Sequence, residues 1–122
     1  MQPLNVLIVD DSLLAMQVLK NSFDALGHRV VKTAKSGAEA LRAYKASNPD
    51  LVTMDVTMPG MDGITATQRI IEEFPDARII MVTSHAQKGI VMDALKAGAK
   101  GYILKPPQTD KLREVLAQVV NG

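Results

Sequence analysis

The chain has no cysteine, and only two tyrosines and two phenylalanines among its 122 residues. Without cysteine there is no disulfide framework to support a secreted reading. Aromatics are too few to interleave with basic clusters, and a formal net charge of +1 gives no field that would steer the chain to nucleic acid. No apolar run approaches the ~20 residues that span a bilayer. The opening residues, MQPLNVL, lack the basic region and long apolar stretch of a secretory signal. The expected compartment is therefore the cytoplasm, with no membrane insertion and no direct nucleic-acid contact. What is present, 47% hydrophobic and 22% charged residues, is ordinary for one globular domain, expected over 1–122.

Five apolar segments rich in β-branched residues read as strands, at 6–9, 30–31, 51–54, 78–83 and 102–104. Most are continuously apolar, as parallel strands buried on both faces are. Helical periodicity fills the gaps. The first helix, after Asp11, sets Leu14, Val18, Leu19 and Phe23 on one face, with Gly27 placed to cap its end. The second opens at Ser36 with Glu39 at capping-box spacing and ends at Asn48-Pro49. Three more are expected over 64–74, 87–97 and 109–120. Strict alternation with short connections builds right-handed βαβ units, hence an α/β, flavodoxin-like doubly wound (βα)5 fold with a five-stranded parallel sheet in the order 2-1-3-4-5. Ligands of such folds sit beyond the carboxyl ends of the strands, where the strand order reverses.

Those ends carry Asp10 and Asp11, Asp55, Thr83 and Lys105. Either Asp of the first pair alone would more often be a helix cap, and Ser12 is an equally good one. Three carboxylates converging at the switch point are another matter. At roughly 4 Å and an effective dielectric near 20, each like-charge pair costs about 4 kcal/mol unless something offsets it. A hard divalent ion with oxygen ligands fits best, and Mg²⁺ characteristically binds through one or two carboxylates plus phosphate oxygens. Phosphoryl transfer supplies a use for the rest. Asp55 is central enough to be the nucleophile, Lys105 can neutralise charge on the transferring oxygens, and the Thr83 hydroxyl can bond one of them. Asp10 and Asp11 are left for the metal and its water shell. Asp62-Gly63 reads as a turn, with Gly60 and Gly63 shaping the loop. The methionines at 54, 58, 61, 81 and 92 read as packing residues, and His28 as solvated.

Asp10-Asp11, the stretch MDVTMPGMDG at 54–63, Thr83-Ser84, Tyr102 and Lys105-Pro106, in this order along nearly the whole chain, resemble a response-regulator receiver domain of the CheY type. The resemblance implies phosphorylation of Asp55 by a histidine kinase, CheA-like in the chemotaxis branch. It implies Mg²⁺ on Asp11, Asp55 and the backbone carbonyl of Thr57, with Asp10 assisting. It further implies that Thr83 and Tyr102 rearrange together and alter an output face made by the fourth helix, fifth strand and fifth helix, here Lys88, Val91, Ala99 and Tyr102. The output partner of stand-alone members is a protein such as the flagellar motor switch, and a monomer is expected. Such a domain is no enzyme toward an external substrate; it undergoes only its own phosphorylation and dephosphorylation. Thr57 and His85 occupy positions that vary in the family and tune phosphoryl lifetime. Pro107 stands where an aromatic or aliphatic residue is frequent, Val56 leaves the phosphate cavity without an aromatic neighbour, and Lys105-Pro106 is a candidate cis peptide.

Other functions fit less well. A haloacid-dehalogenase-type phosphohydrolase needs Asp two residues past its nucleophile on the first strand, and those positions here are Ser12 and Leu13. A flavin or nucleotide carrier wants a Gly/Ser/Thr-rich phosphate cradle after that strand, where this chain has DDSLL. A receiver truncated from a multidomain regulator stays open. An inactive scaffold is disfavoured, because every core site residue is present.

Overall fold

The computed structural model describes residues 2–85 and 87–121, so the ends of the expected 1–122 domain, Met1 and Gly122, lie outside the described residues. Five strands, β1 (Asn5–Val9), β2 (Arg29–Ala34), β3 (Leu51–Met54), β4 (Ile79–Thr83) and β5 (Gly101–Leu104), alternate with helices α1 (Leu13–Ala25), α2 (Gly37–Ser47), α3 (Gly63–Glu73), α4 (Lys88–Ala97) and α5 (Thr109–Asn121). All strand pairings are parallel and the order is β2-β1-β3-β4-β5, the flavodoxin-like topology expected.

Two apolar layers sandwich the sheet because alternate side chains point to opposite faces. Val9, Val52, Met54, Ile79 and Met81 pack toward α2, α3 and α4. Val6, Ile8, Leu51, Ile80, Val82 and Ile103 pack toward α1 and α5. Burying each large aliphatic stabilises the fold by about 1.5–3 kcal/mol. On the second face the rows continue past the apolar residues into Asp10, Asp55 and Lys105, so the same alternation that builds the core aims these three at one another.

Local signals set the ends of the elements. Ser12 caps α1, its Oγ accepting the Ala15 N–H at 3.2 Å, and Gly27, at φ +86°, allows the chain to leave that helix. Ser36 accepts from Glu39 N–H, but the Glu39 carboxylate turns to the Lys35 N–H instead of closing the box on Ser36. Asp62, read as a turn, is the N-cap of α3.

Several expectations need correction. β2 is six residues long instead of two, because it is an edge strand with a mostly exposed pattern that hides its apolar signal. Its register slips between Val6 and Leu7, leaving Val31 without a partner on β1 and 43% exposed. In α1 the buried stripe is Met16, Leu19, Ser22 and Phe23; Leu14 and Val18 face outward. Met54, Met58 and Met81 are buried, whereas Met92 is exposed. His28 is not solvated. Its Nδ1 accepts the Leu4 N–H at 3.0 Å, and its ring meets Phe23 edge-on. Burial holds the imidazole below its ordinary pKa of 6.5. The neutral form is the one that fits, so its contribution to stability is fully present above pH 6.5 and is lost as pH falls through the folded-state value. Thermal unfolding followed from neutral to acidic pH is expected to show this loss, and His28→Gln, which keeps an acceptor without titrating, is expected to flatten that part of the profile.

Candidate functional site

The site begins with the backbone ladders extended beyond the strands. Asp10 N–H bonds Ala34 O at 3.0 Å, Asp55 N–H bonds Val9 O at 3.0 Å, and Lys105 N–H bonds Thr83 O at 2.9 Å. Each bond fixes a functional residue against the neighbouring strand. Ser12 serves as the helix cap, and Asp10 Oδ1 receives the Ser12 N–H at 2.9 Å, leaving Oδ2 free for the site. Gly63 closes the loop after β3 with its N–H on Val56 O. A Cβ there would lie 1.8 Å from Asp55 O, so no other residue lets α3 approach the strand end this closely.

Oxygens of Asp10, Asp11 and Asp55 come within 4.8 Å of one another. Asp10 is 1% exposed and Asp55 7%, while Asp11 faces solvent. Lys105 Nζ lies 2.5 Å from Asp10 Oδ2 and 3.4 Å from Asp55 Oδ2. One ammonium against three ionised carboxylates leaves a formal charge of −2. Burial pushes the Asp55 carboxyl above the ordinary carboxylate range; Lys105 and the Thr83 hydroxyl oppose that, and Asp10 adds to it. The donor set, all oxygen and anionic, is that of a hard divalent cation.

Around this centre lie the remaining expected residues. Thr83 is fully buried, and its Oγ1 accepts the His85 N–H at 3.4 Å. Thr57 Oγ1 and His85 Nε2 are 2.8 Å apart, so the two residues expected to tune lifetime touch across the mouth. Tyr102, half-buried, donates its hydroxyl proton to the His85 carbonyl. Burial raises the Tyr102 pKa, and the Asp55 charge adds to the rise. The Lys105-Pro106 peptide is cis.

The expected output face needs one correction. Ala99 is buried at 6% exposure, held by its N–H on Ala94 O directly after the Gly98 turn, so it offers nothing to a partner. Lys88 is exposed, and Val91 and Tyr102 are partly so. The sequence reading missed Met92, Leu95 and Leu104, each 45–50% exposed. The three-residue spacing of Met92 and Leu95 was a usable signal. It also missed the Thr57–His85 contact, which joins residues 28 apart.

A parallel five-stranded sheet of this order with an acidic cluster and a lysine at its carboxyl edge defines a class. The chain belongs to the response regulator receiver domain family, whose model matches residues 6–117. Within it the chain is a CheY-type receiver. It is 45% identical to the chemotaxis protein CheY of Bacillus subtilis over 116 residues, 95% of this chain and 97% of that one. It superposes with a TM-score of 0.92, at 41% identity, on a chain of the CheX-CheY-BeF3-Mg+2 complex of Borrelia burgdorferi, covering 97% of this chain and 90% of that one. It is also 41% identical to the uncharacterized transcriptional regulatory protein YhcZ of B. subtilis, over 89% of this chain but 51% of that protein. Family membership sets aside the phosphohydrolase and flavin-carrier alternatives. No described helix is long and apolar enough to cross a membrane.

Asp10 cannot be solvated, so removing its counter-charge exposes the cost of the cluster. At neutral pH without divalent metal, Lys105→Met is expected to lower unfolding stability by about 3 kcal/mol, read by denaturant titration, with Mg²⁺ restoring part of the loss. An unchanged midpoint would remove Lys105 as the holder of the cluster.

Proposed function

We propose that this chain is a phosphorylation-activated signalling switch of a two-component system, a single receiver domain over 1–122 working in the cytoplasm as a monomer. The observation that carries the reading is the convergence of Asp10, Asp11 and Asp55 with Lys105 between them. In the reaction the phosphorus–nitrogen bond of a phosphohistidine breaks as an Asp55 carboxylate oxygen forms a phosphorus–oxygen bond. The leaving imidazole keeps the electron pair and takes up a proton, and Asp55 becomes an acyl phosphate. Lys105, already 3.4 Å from that carboxylate, is in reach of an oxygen of the new group. Thr83 sits at the neighbouring strand end with a hydroxyl to donate.

Mg²⁺ would be held by Asp11, Asp55 and the Thr57 carbonyl with Asp10 assisting, and when bound it neutralises charge on the transferring oxygens. Thr83, His85 and Tyr102 form the contact chain from the site to the α4–β5–α5 face, where Lys88, Val91 and Tyr102 join Met92, Leu95 and Leu104 as the surface read by a partner. A CheA-like histidine kinase as phosphodonor and a motor-switch protein as target follow from the likeness to CheY proteins. The second reading, a receiver belonging to a longer regulator, is favoured by the match to half of YhcZ. The chain has no external substrate: Asp55 is both acceptor and, after hydrolysis, the regenerated group.

Intact mass after incubation with Mg²⁺ and acetyl phosphate tests the reading. One hydroxylamine-labile phosphoryl adduct is expected, absent from Asp55→Ala and absent without Mg²⁺; no adduct on the parent would sink it. Decay of that adduct tests Thr57 and His85 together. Because the two side chains meet at 2.8 Å, Thr57→Ala and His85→Ala are expected to change the decay rate by less in combination than the product of their separate effects, with stability changed by under about 1 kcal/mol.

A further inference from the structure

On the face of the sheet that looks toward α1 and α5, the row along β3 reads Leu51, Thr53, Asp55. Register sets Thr53 between Ile8 of β1 and Ile80 of β4. A hydroxyl therefore sits in an aliphatic layer one step beneath the acidic cluster. Thr53 is fully buried, and among the described residues its Oγ1 is the buried side-chain polar atom that no protein group satisfies. An isosteric valine would leave no unsatisfied polar atom in this layer.

What lies above it gives the hydroxyl a use. Alternate residues on a strand are about 6.6 Å apart, too far for Thr53 to reach Asp55 directly. The gap suits one water making two hydrogen bonds of about 2.8 Å. A buried water needs two to four polar partners, and this face of the sheet carries three candidates: Thr53 Oγ1, the Asp55 carboxylate and Lys105 Nζ, which has three N–H groups and two carboxylate contacts. A groove of about 380 Å³ between α1 and the loop after β5, lined by Leu19, Val82, Lys105 and Pro106, opens beside the lysine.

We propose that Thr53 is a positioning residue: its hydroxyl anchors one buried water that hydrogen-bonds the Asp55–Lys105 pair from beneath and so fixes the carboxylate that takes the phosphoryl group. The proposal rests on the phosphoacceptor reading of Asp55, and it extends the polar site one rung into the core. Its role is indirect, through the water.

Three proteins, the parent, Thr53→Val and Thr53→Ser, are to be compared by high-resolution crystallography, by unfolding without Mg²⁺, and by the rate of adduct formation from acetyl phosphate. A water at hydrogen-bond distance from residue 53 is expected in the parent and the Ser variant and not in the Val variant. The Val variant is expected to unfold no more easily than the parent yet to phosphorylate several-fold more slowly, while the Ser variant keeps the parent rate. A structural hydroxyl alone would not separate stability from rate in this way. A parent structure without that water, or a Val variant that phosphorylates at the parent rate, overturns the proposal. Should the parent take no phosphoryl group, the phosphoacceptor reading fails, and the crystallographic water then decides the anchor by itself: present, the anchor stands; absent, it falls.

Discussion

The pairing of one lysine with two buried carboxylates is the interaction on which the rest of this molecule depends. Asp10 and Asp55 are brought together by the ladders of three neighbouring strands, and neither can move away without breaking a backbone hydrogen bond. Lys105, directly after β5 at the far side of β4, reaches across to both. It offsets part of their repulsion but leaves the cluster anionic once Asp11 is counted. A fold that holds excess negative charge at a fixed point is poised for a ligand of opposite sign.

The same strand ends lead outward. Thr83 contacts the His85 backbone through its hydroxyl oxygen, and the His85 carbonyl receives the Tyr102 hydroxyl. His85 is thus held at three points, the third being Thr57 on the opposite loop. A change in the hydrogen bonding of Thr83 alters the surroundings of one residue that touches both the mouth of the site and the half-buried Tyr102. This contact chain is the kind of contiguous network that coupling through packed groups uses.

Much of this was legible in the sequence because it is written in local patterns. Continuously apolar segments marked β1, β3 and β4 as central parallel strands, and the residues at or just past the ends of these strands and of β5 named the carboxylates, Thr83 and Lys105. Where the signal was not local, it was lost. β2 lies at the edge, so most of its residues obey solvent and the register slip at Val31 leaves no mark in composition. The α1 stripe was placed correctly at Leu19 and Phe23 but extended to Leu14 and Val18 instead of Met16 and Ser22, because all of these satisfy helical spacing and only the position of the sheet decides which are buried. His28 was read as solvated because its partner is a backbone N–H 24 residues away. Ala99 illustrates the reverse case, a position assigned to a surface by analogy that the Gly98 turn folds inward.

The most direct test of the central claim, that the sheet assembles the carboxylates and Lys105 into a preformed divalent-cation site, is a crystal structure of the protein at high resolution with Mg²⁺. One ion is expected on oxygens of Asp11, Asp55 and the Thr57 backbone, with Lys105 still on Asp10 and the strand ends unmoved. An ion bound elsewhere, or one that binds only after Asp10 and Asp55 have moved apart, would contradict it.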